Sequence, residues 1–221
     1  RYKYAYVTAG VNERMNSKVI GSLKSPLVLF ILLLLVVALF TALGPAEKSL
    51  GTNVRVVYLH GAWVWVALLS FYAAAVVGLI GLIARRERLQ IWSRALGRTG
   101  IFFWITYLPL SMWAMQTNWN GLFLAEPRWR LAVVFAIGGL VLQVGLSLLE
   151  NPAWASGLNI TYAVLLWFAL RSTEQVMHPA SPVLSSDAWR IQVFFGGLVV
   201  LTLLVAWQVA RWWYATEPQT S

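Results

Sequence analysis

The most regular feature of the chain is the recurrence of long apolar segments separated by short polar ones. Apolar stretches of about 17 to 25 residues are long enough to cross a bilayer as a helix. Strand-like alternation of polar and apolar residues, which would indicate a membrane barrel, is not seen in the sequence. The pattern therefore predicts an all-α, polytopic membrane protein, a bundle of six transmembrane helices at 26–44, 57–84, 99–115, 131–149, 154–170 and 189–214.

Composition strengthens this prediction. Hydrophobic residues make up 59% of the chain and charged residues 11%, and the mean hydropathy is +0.68, outside the range of soluble domains. In hydrocarbon every backbone N–H and C=O group must be paired, which favours helices over irregular chain. Residues 1–25 are polar and mixed in charge, unlike a cleavable signal, so the first span is expected to remain as an anchor.

The distribution of Lys and Arg predicts the orientation, because cytoplasmic loops retain positive charge. With the N-terminus inside, eleven of these residues flank the spans on the inner side and six on the outer side. We expect both termini to be cytoplasmic, with a segment at 1–25 and a tail at 215–221, in the inner or plasma membrane of a bacterium. The net charge of +9 is mostly this topology signal and does not indicate nucleic-acid binding, because the basic residues are divided among short loops.

Several chemistries are missing from the sequence. There is no cysteine, which excludes disulfides, thiolate metal sites and CxxC redox chemistry by this chain's own residues. No phosphate-binding loop, hydrolase triad or zinc-ligand spacing is seen, and the span centres lack the carboxylates that a proton pump needs. We therefore expect no enzymatic activity.

The histidines are the most informative polar residues. The chain has two, His60 and His178, each near the end of an apolar segment and, in the predicted topology, on the outer face. Two imidazoles on one side of a membrane are a minimal pair of axial ligands for a haem iron. The alternative for each is an interfacial residue with an ordinary hydrogen-bond partner. The pair is the candidate haem-ligating site.

The predicted outer segment 116–130 is apolar and aromatic where a solvated loop would be polar. This composition indicates a loop that lies on the membrane surface or covers a ligand. Its Trp119 and Trp129 are candidate contacts to a flat macrocycle, although most of the 13 tryptophans are explained as interface anchors. Guanidinium groups suit the propionate carboxylates of haem, and those on the predicted outer side are Arg55, Arg128, Arg130, Arg171 and Arg190.

At these positions the chain resembles the CcmC/CcsA superfamily of haem-handling proteins of cytochrome c maturation, and within it the six-span CcmC type. The resemblance covers about residues 51–213 and rests on the Val-Arg-Val-Val-Tyr-Leu-His sequence ending at His60, on His178 ahead of the last span, and on the tryptophan-bearing loop. It implies that the two histidines ligate haem b and that a loop motif of the form WGxWWxWDxR holds it. Trp119 matches the first Trp of that motif, Glu126 its Asp and Arg128 its Arg.

The resemblance implies a haem-binding and haem-delivery protein that works with a haem chaperone and the subunits of an ABC-type transporter. Leu122, Phe123 and Ala125 stand where the motif has further tryptophans. This departure favours the alternative of a structural or assembly subunit that kept the bundle within a larger membrane complex and lost the cofactor. A transporter permease is a third alternative, with little support because no inverted repeat or Gly/Pro-broken helix pair is visible.

Overall fold

The computed structural model describes residues 26–149, 151–174, 183 and 187–217, and these are helical apart from short connections. Among them the strand-like pairing is a single isolated bridge between Glu47 and Gly51. The prediction of an all-α chain is confirmed. In chain order the helices are α1 (Pro26–Ala42), α2 (Val54–Ile83), α3 (Glu87–Trp119), α4 (Pro127–Leu149), α5 (Pro152–Ser172) and α6 (Trp189–Thr216).

The helices differ in how well they fit a membrane. Four of them, α2, α4, α5 and α6, are long and apolar enough to cross one. Helix α1 is strongly apolar but has 17 residues, and α3 has 33 residues but includes charged side chains in its first half. The lengths and compositions of the four long helices identify the chain as a membrane protein.

Helices α2 and α3 form a tightly turned antiparallel pair. Arg85 adopts a left-handed conformation with φ of 51°, and the backbone N–H of Arg86 donates to the carbonyl of Gly81 at 2.9 Å, five residues earlier. This is a Schellman motif, which ends a helix by satisfying its last carbonyls. At the other end the Asn53 side chain donates to the carbonyl of Thr117 at 3.3 Å. Both ends of the pair are therefore fixed.

The largest difference between predicted spans and observed helices is at α3. It begins at Glu87, whereas the apolar window begins at Thr99, and it continues to Trp119. Because α4 begins at Pro127, the aromatic connection predicted at 116–130 is reduced to residues 120–126. The apolar pattern is interrupted in the first half of α3 by Arg94 and Arg98, but the helix does not end there. Both side chains pair with Glu217 inside the bundle.

An aromatic cluster occupies the centre of the bundle, where α2, α3 and α5 meet. The ring of Phe71 lies 4.9 Å from that of Tyr162 and 6.0 Å from that of Trp104, measured between centroids. Gly100 of α3 allows this packing, because a Cβ atom there would come within 2.5 Å of the Phe71 ring. Gly138 of α4, by contrast, has open space at the Cβ position.

We expect Gly100→Ala to lower the free energy of unfolding by about 1–3 kcal/mol, the usual cost of overpacking a core. The Phe71 ring cannot move aside without disturbing Tyr162 and Trp104. The matched control is Gly138→Ala, which should leave stability unchanged or raise it by about 0.5–1 kcal/mol through helix propensity. Thermal unfolding in detergent measures both variants, and equal unfolding midpoints would contradict the packing argument.

Candidate functional site

The structure places six of the seven predicted site residues at one end of the bundle, here called the His60 end. This end is formed by the start of α2, the end of α3 and the start of α4. His178 lies outside the described residues. The six residues are Arg55, His60, Trp119, Glu126, Arg128 and Trp129, and we refer to them as the outer cluster.

His60 is half-buried between helices. It lies in the second turn of α2, and its ring packs against that of Tyr107 on α3, with centroids 5.6 Å apart and planes inclined by 50°. Tyr107 is itself buried. An imidazole in this setting carries a nitrogen able to bind a metal. This packing fixes the position of the His60 ring between α2 and α3.

Arg55 organises the connection that precedes α2. Its Nε donates to the carbonyl of Gly44 at 2.9 Å, linking the first turn of α2 to the end of α1. The connection is closed on itself by the Glu47 carboxylate, which accepts from the backbone N–H groups of Leu50 at 3.0 Å and Ser49 at 2.8 Å. These two hydrogen bonds hold the pKa of Glu47 below its usual range, and the bond from Leu50 has the larger effect. Arg55 thus has a structural role at the His60 end.

Glu126 and Trp129 define the start of α4. The Glu126 carboxylate accepts from the backbone N–H of Trp129 at 2.7 Å, and Pro127 follows it as the first helical residue. A side-chain acceptor before the helix with proline at its first position is a common N-terminal arrangement. The position predicted to match the motif's Asp therefore caps a helix.

Arg128 and Trp129 hold two buried donors. The Nη2 of Arg128 donates to the carbonyl of Leu170, at the end of α5, at 3.2 Å. Its Nε and the indole Nε1 of Trp129 are buried with no acceptor within the described ranges. Buried donors of this kind are rare. N–H donors of this kind, one of them on a charged group, have the chemistry required to bind a carboxylate.

Exposed apolar side chains surround the outer cluster. Trp119 is 36% exposed, and Leu122, Phe123 and Leu124 in the following connection are 41–46% exposed. Asn120, which ends α3, has a left-handed backbone with φ of 51°. The connection therefore presents an apolar edge beside the donors of α4, suited to a membrane surface or a flat apolar ligand.

A second polar site, not identified from the sequence, lies at the opposite end of the bundle. Arg94 and Arg98 of α3 both pair with Glu217, which directly follows α6. The Arg94 Nη1 lies 3.2 Å from the Glu217 carboxylate, and the two side chains are 6% and 5% exposed. The Nη2 of Arg94 also donates to the carbonyl of Leu146 in the last turn of α4. We call Arg94, Arg98 and Glu217 the arginine cluster.

A separate hydrogen-bonded network begins at Ser93, the residue before Arg94 on α3. The Asn159 amide of α5 donates to the Ser93 carbonyl at 2.9 Å, and the Ser93 hydroxyl donates to the carbonyl of Ala74 on α2 at 2.8 Å. Gln143 of α4 donates to the Asn159 oxygen at 3.4 Å. Gly97 allows this approach, since a Cβ there would lie 2.5 Å from Asn159. Four helices are thus joined by buried polar contacts.

The sequence held one signal for this second site. Arg94 and Arg98 are spaced by four residues, which places them on one face of a helix. They can also be explained as positively charged residues that flank a span and set its orientation. That explanation gives no indication of their pairing with a carboxylate more than 100 positions later.

Within the part of the chain that the structure describes, no three His, Cys, Asp or Glu side chains come together in a way that could hold a metal ion. Comparison of the chain with protein-family models, curated proteins and solved structures gave no match.

Proposed function

We propose that the chain spans the membrane six times, with both termini cytoplasmic and the His60 end facing outward, in the inner or plasma membrane of a bacterium. The support for this topology is that α1 packs on α6, and α3 packs on α2, α5 and α6, alongside helices that are themselves apolar enough to span. A helix of 17 residues is about 25 Å long, close to the hydrocarbon thickness of a bilayer.

We further propose that the protein binds haem at its outer face and delivers it during cytochrome c biogenesis. The observation that carries this proposal is the placement of a half-buried imidazole, His60, at the bundle end that also holds the unpartnered donors of Arg128 and Trp129. Haem supplies an iron that two imidazoles bind and carboxylates that guanidinium and indole N–H groups bind. The chemistry of this donor set fits that group.

In this proposal each residue of the outer cluster has a defined task. His60 and His178 would bind the haem iron, and the N–H groups of Arg128 and Trp129 would bind a propionate carboxylate. Trp119 and the apolar connection that follows it would supply apolar contact to the macrocycle. The remaining two residues act indirectly, since Arg55 and Glu126 hold the segments on either side. Hand-over requires a haem chaperone and contact with subunits of an ABC-type transporter.

The absorption spectrum of the purified protein tests this function. Full-length protein extracted from haem-replete membranes is expected to show the low-spin b-type spectrum typical of two imidazole ligands. The ratio of the Soret absorbance to the protein absorbance gives the haem occupancy. Colourless protein from such membranes, folded by circular dichroism, would contradict the proposal.

A second candidate is a structural or assembly subunit of a larger membrane complex, without haem. The contacts of Arg55 with Gly44 and of Arg128 with Leu170 favour it, because both arginines already connect backbone segments. The replacement of the motif tryptophans by Leu122 and Phe123 also favours it. Purification in mild detergent distinguishes the candidates, because an assembly subunit is recovered colourless with stoichiometric partner chains.

A further inference from the structure

The arginine cluster contains more positive charge than its acidic partner neutralises. Among the residues that the structure describes, Arg94 and Arg98 share the single carboxylate of Glu217, so one of the two positive charges has no acidic partner there. The carbonyl of Leu146 accepts from Arg94 near the C-terminus of α4, where the helix dipole supplies about half a negative charge. The remaining charge lies in a membrane-spanning bundle, where an unmatched charge is unfavourable.

The cluster also has hydrogen-bond donors without acceptors. The Nε of Arg94 and the indole Nε1 of Trp213 are both buried and lack an acceptor among the described residues. Trp213 lies one helical turn before Glu217, and the guanidinium carbon of Arg98 is 5.1 Å from the centre of its ring. One donor therefore belongs to a side chain that pairs with Glu217, and the other belongs to the ring that packs against Arg98. Surplus charge together with surplus donors is the signature of a site for an anion.

Arg98 gives this site an edge that an external group can reach. Its side chain is 17% exposed, in contrast to the 6% of Arg94. Other aromatic side chains lie on the neighbouring turns of α3 and α6. The rings of Trp92 and Tyr214 stack 4.2 Å apart, and Trp212, 47% exposed, faces outward. Tryptophan and tyrosine are enriched at the depth of lipid headgroups.

We propose that the arginine cluster binds the phosphate group of an anionic phospholipid in the inner leaflet. The phosphate oxygens accept from the exposed edge of Arg98 and from the indole N–H of Trp213, and Arg94 contributes charge from below. Basic pockets between helices on the cytoplasmic side are suited to such headgroups. The assignment to the inner leaflet depends on the proposed topology, whereas the binding itself is independent of haem.

Native mass spectrometry of the detergent-purified full chain tests this proposal, with phosphatidylglycerol and phosphatidylcholine as probes. The unmodified chain is expected to retain phosphatidylglycerol preferentially. Arg98→Gln should weaken that binding about fivefold, the effect of one basic side chain near an anionic headgroup. Trp213→Phe keeps an aromatic ring beneath Arg98 and removes the N–H donor, so an approximately tenfold loss is expected from one hydrogen bond to a charged group.

Trp154→Phe is the matched control, since it changes an exposed indole in the first turn of α5, away from Arg98 and Trp213, and should leave lipid retention unaltered. Equal binding of the two lipids by the unmodified chain, or phosphatidylglycerol binding by Trp213→Phe as tight as before, would overturn the proposal. Inorganic phosphate alone is the third probe. If it raises the unfolding temperature while phosphatidylglycerol does not, the site takes a free anion and the lipid assignment is wrong.

The lipid and haem proposals fail separately. Coloured protein without selectivity between the two lipids would refute only the lipid site. Colourless protein that prefers phosphatidylglycerol would refute only the haem function.

Discussion

Replacing Glu217 with glutamine is expected to lower the free energy of unfolding by about 3–5 kcal/mol, the usual effect of removing one partner from a buried ion pair. The substitution keeps the shape of the side chain and removes the negative charge between Arg94 and Arg98. Both guanidinium groups would then face each other in a largely water-free site. Thermal or denaturant unfolding in detergent measures the loss.

The matched control is Glu174→Gln, at an exposed glutamate after α5, which should change stability by less than about 0.5 kcal/mol. A double-mutant cycle provides the sharper test. Arg98→Gln should lower the free energy of unfolding less in the Glu217→Gln background than in the unmodified chain, because Arg98 has already lost its carboxylate partner in that background. Additive effects of the two substitutions would show that the pairing contributes nothing measurable.

His60→Ala is expected to abolish the low-spin b-type spectrum, and His178→Ala should do the same, because an iron left with one imidazole loses low-spin, six-coordinate ligation. The substitution at His60 removes a half-buried ring that packs on Tyr107, so folding must be measured independently. We expect the helical circular dichroism signal to be retained. Absorption spectra of both variants, normalised to protein, give the result.

Arg55→Gln separates ligation from packing at the same end. It disturbs the connection that Arg55 fixes through Gly44 without removing a candidate ligand, and the spectrum should remain low-spin. A His60→Ala variant that is folded and still low-spin would show that His60 is not a ligand. A loss of colour in Arg55→Gln alone would assign the site to that connection instead.

The sequence predicts the class of the fold well, because hydropathy directly shows which segments lie in hydrocarbon. Backbone groups in hydrocarbon must be paired within their own segment, so long apolar stretches become helices, as α2, α4, α5 and α6 show. The rule fails at the first half of α3. A window average cannot distinguish an arginine in a loop from Arg94, which is buried against Glu217 and the end of α4.

The sequence predicts where the candidate site lies, but not the hydrogen bonds that its residues make. Topology alone brings Arg55, Trp119 and Arg128 to one end, since each is close to the end of a helix on the same side. Topology does not predict the hydrogen-bond partners of these side chains. Whether Arg128 uses its donors on a ligand or on the carbonyl of Leu170 depends on how α4 packs against α5, and such tertiary contacts leave no local pattern in a sequence.

The arginine cluster also sets an order of events during synthesis on the ribosome. Arg98 and Glu217 are separated by 119 positions, so both arginines emerge long before their carboxylate does. Until α6 is complete, the first half of α3 carries unmatched cations and is poorly suited to the lipid interior. The nascent chain can pair these arginines with their carboxylate only after α6 and Glu217 have been made.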